Sequence, residues 1–91
     1  MGINTVFEAL SHPVRRKVLA LLKKGPMSAG DLAEHFDIAR PTLSVHFNKL
    51  KQADLVAVER QGNSLIYHLN TSVLEDALAG ILDLTDRKDE E

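Results

Sequence analysis

The sequence predicts a mainly α fold with one β-hairpin set into it, an α+β chain in the order α-α-α-α-β-β-α. Three observations carry this. Apolar residues recur at helical spacing in four segments before Ala53 and again after Thr71. Between these regions the spacing drops to two, centred on Gly62-Asn63, a dipeptide suited to a two-residue hairpin turn. The chain has 91 residues, enough for one domain (1–91) and too few for most enzyme scaffolds.

The first segment places Ile3, Val6, Phe7 and Leu10 at i, i+3, i+4 and i+7, an amphipathic helix of about two turns. Ser11-His12-Pro13 breaks it, and Pro13 suits the first turn of a new helix because its missing N–H has no partner to lose there. That second helix carries Val14, Val18, Leu21 and Leu22 on one face, with Arg15, Arg16, Lys17, Lys23 and Lys24 around the rest. Gly25-Pro26 ends it. Ser28 with Asp31 three residues on is a near capping box and opens a third helix, whose buried side is Leu32, Ala33 and Phe36. Asp37-Ile38-Ala39 is a short turn. Pro41 then starts a fourth helix with Leu43, Phe47 and Leu50 inward. Two short helices joined this closely, over about 28–53, have helix-turn-helix spacing.

Closing a hairpin at Gly62-Asn63 pairs Arg60 with Leu65, Val58 with Tyr67 and Val56 with Leu69, a wing over about 56–69. Thr71 or Ser72 caps a last helix over about 71–86. Its apolar residues, from Val73 and Leu74 through Ala77, Leu78, Ala79, Ile81, Leu82 and Leu84, form a stripe too wide for one contact surface. Asp86–Glu91 reads as a charged, frayed end. The order of elements describes a winged helix-turn-helix flanked by helices.

Composition narrows the chemistry. The absence of cysteine excludes disulfides, thiolate metal sites and thiol nucleophiles, and no apolar run approaches the roughly 18 residues of a membrane span. A cytoplasmic protein without membrane insertion is expected. The net charge of −2 conceals a division: residues 12–70 hold nine Lys/Arg against five Asp/Glu, and residues 71–91 hold two against seven. A basic middle attracts a polyanion whatever the mean. Ser44 and His46 stand two apart on one helix and so do not face each other, and no acid/base constellation or phosphate loop appears, so no enzyme is expected.

Leu10–Leu22, Asp31–Phe36 and Pro41–Leu50, in this order and followed by a wing, resemble the ArsR-type transcriptional repressors of bacteria and archaea. The resemblance spans about residues 5–85 and is greatest to the small metal-independent autorepressors of the sporulation-delaying toxin operon type. It implies a sequence-specific repressor acting as a homodimer on a pseudo-palindromic operator of double-stranded DNA, that of its own operon. It also implies dimerisation through the first and last helices, and the sequence independently asks for cover there. Ile3, Val6, Phe7, Leu10, Leu74, Leu78, Ile81 and Leu82 are the expected interface residues. The chain departs from the family pattern at Pro41 and Val45, where many members carry serine and a polar residue, often glutamine. Family metal sites need cysteines on the third helix or histidines on the last, and this chain has neither. Glu75, Asp76, Asp83 and Asp86 read as a solvated acidic face, and no metal or cofactor is expected.

With the fourth helix in a major groove, Arg40 suits a guanine, Thr42 and Ser44 suit bases or phosphates, and Val45 suits a thymine methyl. Pro41 and Asn48 also face outward, and Lys49 flanks them as a phosphate contact. His46 is either a phosphate or base contact or a half-buried histidine bonded to backbone. Ser28 offers a helix N-terminus to a phosphate, serves as a plain cap, or does both. Arg60 and Asn63 are the wing's candidates, with a plain solvent-exposed turn as the alternative for Asn63. Arg15 and Arg16 read as ties between helices or across the dimer, and Lys17, Lys23 and Lys24 as a solvated face. The alternative function is a protein-interaction module on a winged-helix scaffold without DNA binding. A third reading adds a trigger, a small-molecule effector or an anti-repressor partner, that the sequence does not name.

Overall fold

The computed structural model describes residues 2–85, so Asp86–Glu91, expected to end the last helix and fray, lie outside the described residues. The elements are α1 (Ile3–Leu10), α2 (Pro13–Leu22), β1 (Met27–Ser28), α3 (Ala29–Ala33), α4 (Arg40–Gln52), β2 (Val56–Gln61), β3 (Ser64–Leu69) and α5 (Thr71–Asp83). The expected helices and hairpin are all present. The two-residue strand β1 is an addition: it pairs antiparallel with β3, Met27 opposite Tyr67 and Ser28 opposite Ile66, giving the sheet order β1-β3-β2. Two residues, the second of them the cap of α3, leave no period to read, and only the arrival of β3 makes them a strand.

Local chemistry sets most boundaries as expected. His12 caps α2, its Nδ1 accepting the Val14 N–H at 3.1 Å, with Pro13 at the first helical position. Gly25 follows α2 at φ 146°, a conformation that side-chain-bearing residues avoid. Ser28 caps α3 through its Oγ, which accepts the Asp31 N–H at 3.0 Å. Regular α3 ends at Ala33, and a tighter hydrogen-bonded turn carries the chain to Phe36. The helix is therefore shorter than its apolar stripe suggested.

At the end of α4, Asp54 takes φ 58°. The Leu55 N–H bonds to the Leu50 carbonyl at 3.1 Å and the Asp54 N–H to that of Lys51 at 3.0 Å. This is the Schellman pattern, sealed by contact between two fully buried leucines, Leu50 and Leu55. The helix α5 is entered from Asn70, not capped by Thr71 or Ser72; the Asn70 Nδ2 donates to the Asp54 carbonyl and is tied to the turn instead.

The hairpin has the expected register, with Val56 opposite Leu69, Val58 opposite Tyr67 and Arg60 opposite Leu65. Gly62 supplies the positive φ of the turn, at 61°. The core gathers Val18, Leu19 and Leu22 of α2, Leu32 of α3, Leu43, Phe47 and Leu50 of α4, and Val56 and Tyr67 of the hairpin. The Phe47 and Tyr67 rings meet at 5.0 Å. This packing fixes α4 against α2 and the sheet and leaves its other face to solvent.

Candidate nucleic-acid interface

The helix α4 divides cleanly. Leu43, Phe47 and Leu50 are buried, whereas Arg40, Pro41, Thr42, Ser44, Val45 and Asn48 are exposed. Val45 is 56% exposed, a valine on the open face with no packing partner to explain it. Pro41 in the first turn costs no hydrogen bond, and Arg40 stands exposed at the very start of the helix. Lys51 belongs with this set and was not among the expected residues. It lies eleven positions after Arg40, about three helical turns, and is exposed on the same stripe as Arg40, Ser44 and Asn48. Extending the outward stripe by one more turn would have found it.

His46 does not face outward. It is 8% exposed, and its Nδ1 lies 3.0 Å from an Arg15 guanidinium nitrogen. The His12 ring sits tilted against it at 4.4 Å. His46 follows Leu43 by three positions and adjoins Phe47, so the helix turns it toward the core edge. The base or phosphate role considered for it is therefore corrected, and so is the backbone bond, because the partner is a side chain 31 positions away. A guanidinium can only donate, so Nδ1 accepts and the ring proton sits on Nε2. Burial, with His12 and Arg15 nearby, holds the His46 pKa below its ordinary 6.5.

Lys49 is also less free than expected. Its Nζ donates to Glu8 Oε2 at 2.8 Å, tying α4 to α1, and the partnership holds the Glu8 carboxyl below its ordinary value. Arg15 has the structural role read for it. Its Nε and a terminal nitrogen donate to the carbonyls of Ala9 and Glu8 at 2.7 and 2.9 Å, satisfying the end of α1. Arg16 likewise donates to the Leu10 carbonyl at 2.7 Å. Lys17, expected on a solvated face, donates to the His35 carbonyl at 2.9 Å and lies over the Phe36 ring.

Arg60 and Asn63 are exposed on the wing, and Ser28 is half-buried, its hydroxyl engaged as a cap. The expected interface residues separate into three groups. Ile3, Phe7, Leu78, Ile81 and Leu82 are exposed, and Leu10 and Leu74 are half-buried against the core. Val6 is 5% exposed and belongs to the chain's own core, so it is corrected as a free contact residue. The stripe of α1 rotates Val6 and Ala9 inward while Ile3 and Phe7 stay open. Among the described residues no group of three or more His, Asp or Glu side chains is gathered as a metal site, and no helix is long and apolar enough to cross a membrane.

Comparison with known proteins agrees with this architecture. A helix-turn-helix domain family model matches residues 10–59. The chain is 48% identical over 87 residues to the transcriptional repressor SdpR of Bacillus subtilis, covering 96% of this chain and 97% of that protein. It is 37% identical over 79 residues to the arsenical resistance operon repressor of Staphylococcus aureus, covering 87% and 76%. Among solved structures, an ArsR family transcriptional regulator superposes with a TM-score of 0.85 at 28% identity, over 90% of each chain. The repressor BigR of Xylella fastidiosa gives 0.70 at 28% identity, over 85% and 80%. These relatives are transcriptional regulators, not enzymes, and the open face of α4 lies within the matched domain. The chain belongs to the ArsR family of winged helix-turn-helix, DNA-binding transcriptional repressors.

Proposed function

We propose that this chain represses transcription as a homodimer, placing two α4 helices in successive major grooves of a pseudo-palindromic operator, about 34–36 Å apart. The observation that carries the reading is the division of α4: a wholly buried inner stripe fixes the helix, and Arg40, Ser44, Asn48 and Lys51 project from the other side. Arg40 and Thr42 read bases at the helix start, while Lys51 and Arg60 contact phosphates. Pro41, Val45 and Asn48 complete the groove surface, with Asn63 and Ser28 at its margins. Dimerisation uses the exposed Ile3, Phe7, Leu78, Ile81 and Leu82. The protein acts in the cytoplasm of a bacterium or archaeon, needs no metal, and, as the family resemblance implies, controls its own operon.

The test is fluorescence anisotropy with the DNA upstream of its own gene, at two salt concentrations, against random DNA. Nanomolar, salt-sensitive and selective binding is expected. Weak binding, equal on both DNAs, would favour the alternative of a winged-helix interaction module, and random-sequence selection would then decide between that and a distant operator.

A further inference from the structure

Two separate ties join the end of α1 to α4. The outer tie is the exposed Glu8–Lys49 pair at 2.8 Å. The inner one is a relay: the Arg15 guanidinium holds the Glu8 and Ala9 carbonyls on one side and His46 Nδ1 on the other. Arg15 is 7% exposed and spends three of its N–H donors, one on each nitrogen, on these three acceptors. The relay bridges the helix that the proposed dimer uses and the helix that the proposed reading of DNA uses. The position of one recognition helix relative to its partner therefore passes through this contact.

We infer that Arg15 and His46 are positioning residues for operator binding, and that a proton on His46 unlocks α4 from α1. This inference rests on the DNA-binding dimer proposed above. The mechanism is local. With Nδ1 unprotonated, His46 accepts the guanidinium N–H. A proton added at Nδ1 removes the acceptor and sets an imidazolium against a guanidinium, converting attraction to repulsion.

The groups around His46 offer no compensation. From the α2 side it faces Arg15 and the His12 ring, whose own Nδ1 is occupied by the Val14 N–H. From α1 the Glu8 carboxylate is engaged by Lys49, the α4 cation three positions after His46 in the chain. No carboxylate among the described residues bonds the His46 ring to stabilise its charge. Once released, α4 keeps its apolar stripe but loses its inner tie to α1, and the spacing of the two reading heads loosens.

The test compares wild type with His46→Asn on the upstream operator DNA by fluorescence anisotropy, at pH 7.5 and pH 5.5 and constant ionic strength. Asn places an acceptor oxygen close to the Nδ1 position and does not titrate. At pH 7.5 the two proteins should bind alike. At pH 5.5 the wild type should be weaker than the variant by about tenfold, a proton-linked loss shared by two protomers. His12, His35 and His68 are common to both proteins, so the ratio isolates His46. Parallel pH profiles would overturn the inference. Imidazole 15N NMR of the free protein gives a second reading that needs no DNA. An Nε2–H tautomer with bare Nδ1 at pH 7.5 is expected, and a protonated Nδ1 would overturn the inference by itself. Absence of wild-type binding at pH 7.5 would instead strike the DNA-binding reading, with the NMR result still judging the Arg15–His46 tie.

Discussion

The helices α4 and α5 are each 13 residues long, yet they use their apolar residues in opposite ways. On α4 a narrow stripe is wholly covered by the chain's own α1, α2 and sheet. On α5 only Ala77 is buried, while Leu78, Ile81 and Leu82 stay open, and Leu84 just beyond is 84% exposed. The helix with more apolar residues contributes less to its own core. A stripe of about 100° is what one neighbour can cover. A wider one needs a second neighbour, and in this chain none remains, because α1 already spends Val6 and Ala9 on the core.

The largest test of this contrast is a pair of truncations. Leu50→Ala should cost about 2–5 kcal/mol in denaturant unfolding, because a fully buried leucine leaves a cavity. Leu82→Ala, at 65% exposure, should cost the fold of the single chain under about 0.5 kcal/mol. Equal costs in dilute, monomeric conditions would break the contrast. Paired substitutions Leu78→Asp and Leu82→Asp sharpen it. They should leave the helical circular dichroism intact, turn the sedimenting dimer into a monomer at micromolar concentration, and weaken operator binding by more than about tenfold, since linked half-sites bind far better than one. A wild type that already sediments as a monomer at that concentration would remove α5 as a self-interface.

The outward face of α4 should respond differently again. Arg40→Ala should reduce discrimination between operator and random DNA by about 1–3 kcal/mol, whereas Lys51→Ala should weaken both alike and flatten the salt dependence. The reverse pattern would mean that base reading and backbone contact have been interchanged.

A subtler effect is pH-dependent folding. His46 has a folded pKa below its ordinary 6.5, so the unfolded chain takes the proton first as pH falls. Its contribution to stability is complete above about 6.5 and declines below it. Thermal melts of wild type should therefore lose more between pH 7 and pH 5 than those of His46→Asn. A small effect of opposite sign is expected at Gly80, half-buried on α5. An added Cβ would meet only the Ile3 Cδ1, at 3.3 Å. That is the end of a half-exposed, flexible side chain, so it can move aside. Gly80→Ala should then stabilise α5 by about 0.5–1 kcal/mol through helix propensity. A loss of stability would show that α1 and α5 are held closer than they need be.

Much of this was legible in the residues because it is local. Pro13 marks a helix start because its missing N–H costs nothing in the first turn, and Ser28 marks another through a bond to the Asp31 N–H three positions on. Gly62-Asn63 closes a two-residue turn, and that turn sets the pairing of Val56, Val58 and Arg60 across the hairpin. The inward set of α4 follows from the helical period, since Leu43, Phe47 and Leu50 recur on one side. The open groove residues were legible as their complement, except that the stripe was stopped a turn short of Lys51.

What escaped the sequence has one physical character. His46 lies on the edge between the two faces of α4, where periodicity is silent, and Arg15 decides its direction from 31 positions away. Val6 and Phe7 are adjacent in the same apolar stripe, yet only the position of α1 against the core buries one and leaves the other open. Met27 and Ser28 become a strand only when β3 arrives beside them. The sequence by itself determined the five helices and the hairpin, their order, the hairpin register and the two-sided character of α4, because bonds between near neighbours in the chain set these. Only the tertiary structure decided which apolar stripes are covered and which polar side chains are spent holding helices together. Those outcomes depend on groups that meet in space from distant parts of the chain, and no local spacing encodes such a meeting.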